Sequence, residues 1–254
     1  MRKNKKSQVL VYGLIFGLLL AIATFYMAYY LKILPKDYLG ENSLIILKAG
    51  SEAEKTSLYI RLSAQYASED SIIQLAEKGG FDSAKCGENK GYNLMNNDLG
   101  SCFPDYESNL KSIFARNLDL YLSKYPKDIP REYEIELKDS TKFNGKAIST
   151  INIKGKNLTS KQEPLMEYKI IPYFSSEVDF DLNIFEGIKT KAAALISLCE
   201  KEAELEKCIS QNSNWNIVEV DSRTVNFDID SQKKVNGQKI VIKIALYFPD
   251  SISP

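Results

Sequence analysis

Residues 124–138 read KYPKDIPREYEIELK, and the hydrophobic period changes inside them. Upstream of Pro126, apolar side chains recur at Tyr106, Leu110, Ile113, Phe114, Leu118, Tyr121, Leu122 and Tyr125. Steps of three and four residues put them on one buried face of a helix that opens at Pro104-Asp105. Downstream of Pro130, Tyr133, Ile135 and Leu137 alternate with Glu132, Glu134, Glu136 and Lys138, which predicts a strand with one wet face. This switch points to an α+β fold: residues 35–130 helical with a disulfide loop, then residues 131–254 as a mostly antiparallel sheet covered by a helix.

Toward the C-terminus, Asn144-Gly145 is a turn signal, with Ile151 and Ile153 on the expected returning strand. Residues 165–174 predict a third strand, bent or at a sheet edge because Pro172 cannot donate to a ladder, and Val178, Phe180, Leu182 and Ile184 a fourth. A helix follows from about Glu186, carrying Ile188, Ala192, Leu195, Ile196 and Cys199 on one side. Strands return at residues 215–220, 224–230 and 239–248, the last two facing each other across a loop with Asn236-Gly237. Toward the N-terminus, Ser51 and Glu54 form a capping box for a helix over 52–78 that Gly79-Gly80 ends. A shorter helix over 42–49 precedes it, with Gly50 as the joint, and residues 81–104 predict a long loop containing Cys86 and Cys102.

Residues 1–8 hold Arg2, Lys3, Lys5 and Lys6 and no acid, and they run straight into an apolar stretch. As a helix, the 23 residues 9–31 reach about 35 Å at ~1.5 Å per residue, enough for a ~30 Å hydrocarbon core. The expectation is a transmembrane helix over 9–34, with the lipid bilayer as its partner and Tyr26, Tyr29 and Tyr30 at the far headgroups. By the positive-inside rule, residues 1–8 are then a cytoplasmic basic segment and everything from residue 35 is extracytoplasmic, a single-pass protein of the cell membrane. Two processing alternatives stay open: cleavage at Ala21-Ile22-Ala23, or a prepilin-type cut between Ser7 and Gln8 that leaves the apolar helix attached.

Several chemistries are excluded by composition. Histidine is absent, which removes the commonest general base, the commonest zinc ligand and the Ser-His and Cys-His pairs. The chain has 33 Lys and Arg against 33 Asp and Glu. With the four leading cations set aside, the remainder is slightly acidic and offers no basic patch to a nucleic acid. Asp179 with Asp181, and Asp228 with Asp230, share strand faces and in principle suit a proton or calcium, yet they sit among polar outward positions and read as solvated faces. Ser108 and Lys111 match a Ser-x-x-Lys spacing inside the first turn of a helix, where capping accounts for the serine. No catalytic, cofactor-binding or metal-binding residue is assigned.

Four cysteines suit an oxidising compartment and allow three connectivities. Local pairing is expected: Cys86 with Cys102 closes the Gly- and Asn-rich loop. In an unbroken helix Cys199 and Cys208 would stand roughly 13 Å apart. That pair therefore needs the chain to turn back near Glu202. Asn157-Leu158-Thr159 is a glycosylation sequon in an expected loop.

Gly40-Glu41-Asn42, Glu54-Lys55, Tyr59-Ile60, Ser63-Ala64-Gln65-Tyr66-Ala67, Gly79-Gly80 and Cys86-Gly87, with the Lys5-Lys6-Ser7-Gln8 start, resemble uncharacterised archaeal membrane-anchored envelope proteins with a prepilin-like N-terminus. The resemblance covers about residues 1–130 and implies location, with no activity attached. Ser7 in place of glycine or alanine, and Tyr12 where many pilins carry glutamate, depart from the pilin pattern. The expected function is extracytoplasmic binding or scaffolding of an unknown envelope protein partner without catalysis. A type IV pilin-like subunit is the alternative, and an envelope enzyme using carboxylates or a Ser-Lys pair comes third.

Overall fold

The computed structural model describes residues 5–33, 39–139, 141–155, 166–202 and 204–249. The chain divides into two compact units, residues 1–51 with 154–168 and residues 52–153 with 169–254. The class is α+β with antiparallel strands.

The first unit contains α1 (Lys5–Ile33) and the start of α2 (Leu39–Glu77). In α1 the described large apolar side chains, among them Ile15, Phe16, Leu19 and Phe25, are all more than half exposed. Among the described residues, however, no helix is long and apolar enough to cross a membrane. The expected transmembrane helix over 9–34 is thus corrected, and with it the single-pass membrane placement with a cytoplasmic N-terminus.

A second correction concerns α2, one unbroken helix through Gly50, so Ser51 and Glu54 are interior rather than a cap. A single helical glycine costs only about 1 kcal/mol relative to alanine. Here Gly50 sits between the buried Ala49 and Ala53. Gly79 and Gly80 do end the helix, with φ of +64° and +90°, and the Gly80 N–H returns to the Leu75 carbonyl at 2.7 Å. A Cβ on Gly79 would lie 2.4 Å from the Lys243 carbonyl oxygen, so both conformation and close approach require glycine there.

Residues 81–104 are more ordered than a plain loop. They fold as two short ribbons, β1 (Glu88–Asn89) with β2 (Tyr92–Asn93), and β3 (Asn96–Asn97) with β4 (Gly100–Ser101). Next comes α3 (Tyr106–Leu122), whose first turn is capped by the Asp105 carboxylate accepting the Ser108 N–H at 3.1 Å.

Beyond Pro130 the period-2 segment is β5 (Tyr133–Lys138), paired in register with β6 (Lys142–Ala147). The chain turns from Asp139, which takes φ of +51°, with the Thr141 N–H returning to the Lys138 carbonyl at 3.2 Å, and not at Asn144-Gly145. Gly145 instead lies mid-strand because the Phe174 ring crosses it: a Cβ there would meet the ring at 2.1 Å. The ribbon of β7 (Ile151–Gly155) and β8 (Met166–Ile170) follows, and then β9 (Tyr173–Glu177), which completes the order β5-β6-β9. Pro172 separates β8 from β9 where a single strand, bent or at an edge, was expected; both pieces are edge strands. The expected fourth strand at 178–184 does not form. The Phe180 N–H closes on Val178 and the Asp181 carboxylate accepts the Asn183 N–H at 2.9 Å, which leads into α4 (Asn183–Cys199).

Helix α4 stops at Cys199, and α5 (Leu205–Asn212) runs on from the break. The last sheet is the meander β10 (Asn216–Asp221), β11 (Thr224–Val235) and β12 (Gln238–Tyr247). The second unit's core comprises a small-residue face of α2 (Ala64, Ala67, Ser68, Ser71), the apolar face of α3 and the inner sheet faces. Phe114 of α3 stacks on Phe143 of β6 at 4.2 Å and meets Phe174 at 5.8 Å, which covers the inner face of β5-β6-β9.

Candidate functional site

Alternation along β5, β6 and β9 sends Ile135, Phe143, Gly145, Phe174 and Ser176 inward and leaves the opposite face to solvent. The antiparallel register arranges that outer face in rows. Glu134 stands beside Lys146 and Lys146 beside Tyr173; Glu136 stands beside Asn144 and Asn144 beside Ser175. Short side chains on Asn144 and Ser175 make a floor, while Glu134, Glu136, Lys146 and Tyr173 rise around it. The result is a depression of about 420 Å³.

Its groups are unusually unoccupied. The side chains of Glu134, Asn144, Lys146, Tyr173 and Ser175 make no hydrogen bond or ion pair among the described residues. Glu136 reaches only Lys138, at 3.5 Å. Tyr173 is 74% exposed, and the likewise exposed Ile148 and Ile171 lie just past the strand ends, where the Ala147 N–H meets the Pro172 carbonyl at 2.9 Å. A tyrosine with a solvated face costs burial energy that a ligand would recover.

The acids singled out in the sequence do not converge. Asp179 pairs with Lys233 at 2.7 Å, and Asp181 holds the Asn183 N–H. Asp228 accepts the Tyr92 hydroxyl at 3.0 Å, whereas Asp230 pairs with Lys239 at 2.8 Å and caps the Gln232 N–H. Among the described residues there is no group of three or more Cys, Asp or Glu that could hold a metal ion. The Ser108 N–H is taken by the Asp105 cap in the first turn of α3, so capping accounts for the serine of the Ser-x-x-Lys spacing.

Cys86 is bonded to Cys102 and Cys199 to Cys208, with Cα separations of 5.9 and 5.8 Å. The second bond depends on the break between α4 and α5, where the Glu202 N–H caps the Cys199 carbonyl. Asn157 lies outside the described residues. The tyrosines divide by environment: burial raises the pKa of Tyr106 and Tyr133 well above the usual phenol range, while a hydrogen bond to Asp70 at 2.6 Å pushes Tyr121 up to about 12.

Sequence reasoning passed over the β5-β6-β9 outer face because its residues look like any wet strand face. The one available signal was Tyr173, an aromatic at an outward position directly after a strand-breaking proline. No family model, no curated protein and no solved structure matches the chain.

Proposed function

We propose that the chain is a non-catalytic binding or scaffolding protein of an oxidising, extracytoplasmic compartment, and that it binds through the outer face of β5-β6-β9. The observation that carries this reading is the depression around Asn144 and Ser175, where Glu134, Lys146 and the exposed Tyr173 make no hydrogen bond or ion pair among the described residues. The two disulfides support the compartment, since such bonds persist where thiols are not kept reduced. The test is a photoreactive residue placed at Tyr173, compared with one at the exposed Lys207, in cells that express the full chain. Adducts formed from position 173 and not from 207 are expected; equal or no labelling at the two positions removes the reading.

A second reading, a pilin-like subunit, is favoured by α1. An apolar helix exposed over residues 15–27, 29 and 30 is satisfied when it packs among the α1 helices of other copies. It requires a mature N-terminus at Gln8 and filaments visible by electron microscopy. An intact N-terminus by mass spectrometry eliminates it.

A further inference from the structure

We infer that the β5-β6-β9 outer face is a glycan-binding site for neutral, polyhydroxylated sugars; this rests on the reading of that face as the binding surface. Charge balance is the first reason. Across its three rows the face carries Glu134, Glu136 and Glu177 against Lys146, Lys138 and Lys142. Three carboxylates interleaved with three amines generate no field of one sign for a polyanion or polycation to follow.

Side-chain chemistry narrows the ligand further. The centres of protein-protein interfaces are depleted in charge and rich in apolar area. Here Tyr173 is the one apolar side chain of the outer-face rows, Ile135 and Phe174 reach the depression only from the inner face, Ile148 and Ile171 lie past the strand ends, and the other outer-face side chains are carboxylate, amine, amide and hydroxyl. A pyranose has that same division. Its axial C–H groups form an apolar face that packs on the electron-rich face of an aromatic ring. Its hydroxyl edge both donates and accepts, so it can donate to Glu134 and accept from Lys146, with Asn144 and Ser175 doing either.

The geometry suits this division. Tyr173 stands at one side of the depression and Glu134 at the other, with Lys146 between them in register. A ring laid on the tyrosine therefore directs its hydroxyl edge over the short floor of Asn144 and Ser175. The volume of about 420 Å³ falls within the usual range of small-ligand pockets, roughly 300–1,000 Å³.

The experiment is isothermal titration of the full chain, disulfides intact, with a panel of neutral oligosaccharides: cellohexaose, maltohexaose, mannohexaose and tetra-N-acetylchitotetraose, with heparin as the charged control. At least one neutral glycan is expected to bind with an affinity that is flat between low and high salt. Tyr173→Ala should weaken it tenfold or more while Tyr173→Phe stays within about threefold, and circular dichroism of both variants checks folding. Binding of heparin alone, with steep salt dependence, overturns the inference. So does silence of the whole panel when position 173 still crosslinks to a protein, an outcome that leaves the binding face intact. Silence in both experiments overturns the inference and the proposed function together.

Discussion

Asn96 holds both backbone polar groups of Tyr247: its Oδ1 accepts the Tyr247 N–H at 2.9 Å and its Nδ2 donates to the Tyr247 carbonyl at 2.5 Å. Together with the Met95 N–H on the Ala245 carbonyl at 3.0 Å and a parallel bridge from Leu94 to Ala245, this lays the Cys86–Cys102 loop along β12 as a surrogate strand. An edge that would otherwise offer unpaired backbone groups is covered by side-chain chemistry. Asn96→Ala removes both bonds and leaves polar groups unpaired, a loss of about 1–3 kcal/mol in urea denaturation. Asn96→Asp keeps the acceptor and should fall between the wild type and alanine.

The same loop depends on its disulfide. Cys86 and Cys102 are 16 residues apart, and closing a loop of that size restricts the unfolded chain by about 3 kcal/mol on the entropy model. Replacing both with serine should lower the urea midpoint accordingly and speed amide exchange at Met95 ahead of the interior of α3. Equal exchange at the two places would show that the loop does not open separately.

Gly145→Ala tests the close approach of β6 and β9. The added methyl enters space held by the Phe174 ring, and overpacking of this kind costs about 1–3 kcal/mol. Phe174→Leu frees that space, so the double variant should lose less than the sum of the singles. Strict additivity in the thermodynamic cycle would mean that the two residues are not coupled.

Local periodicity accounts for what could be read in advance. The α3 stripe, the alternation of Tyr133, Ile135 and Leu137, and the β11-β12 hairpin across Asn236-Gly237 each depend on neighbours a few residues away, and each forms. The misreadings arise where a distant residue decides. Gly145 is glycine because of Phe174, far downstream, and the alternation over 178–184 is a turn feeding α4 because Asp181 caps Asn183. The candidate site was hidden for a related reason: Glu134, Asn144, Tyr173 and Ser175 become neighbours only through the register of three strands.

Acid stability should carry a contribution from Asp82. The Arg116 guanidinium holds both of its oxygens, at 2.6 and 3.0 Å, and Ser112 donates at 2.7 Å, so the bond to Arg116 first of all keeps this carboxyl below its ordinary value. A depressed folded-state pKa gives stability that is full above the unfolded value and is lost as pH falls through the folded one. Because Arg116 is half exposed, solvent screening limits the gain to about 1 kcal/mol. Thermal melts from pH 6 down to about pH 2 should show Asp82→Asn converging on the wild type at the acid end, and a constant gap would contradict the linkage.

At the alkaline end the sign reverses. The Tyr121 hydroxyl donates to Asp70 at 2.6 Å, and ionising it would face that carboxylate, so its pKa is pushed up to about 12 from an ordinary value near 10. A raised folded-state pKa contributes stability that is complete below the unfolded value and disappears as pH climbs through the folded one, here between about pH 10 and pH 12. Titration of tyrosinate absorbance should therefore show, below the still higher steps of the buried Tyr106 and Tyr133, a phenol ionising near pH 12 that vanishes in Tyr121→Phe and moves down toward the ordinary range in Asp70→Asn. If Asp70→Asn leaves that phenol where it was, the hydrogen bond to Asp70 is not what holds the proton.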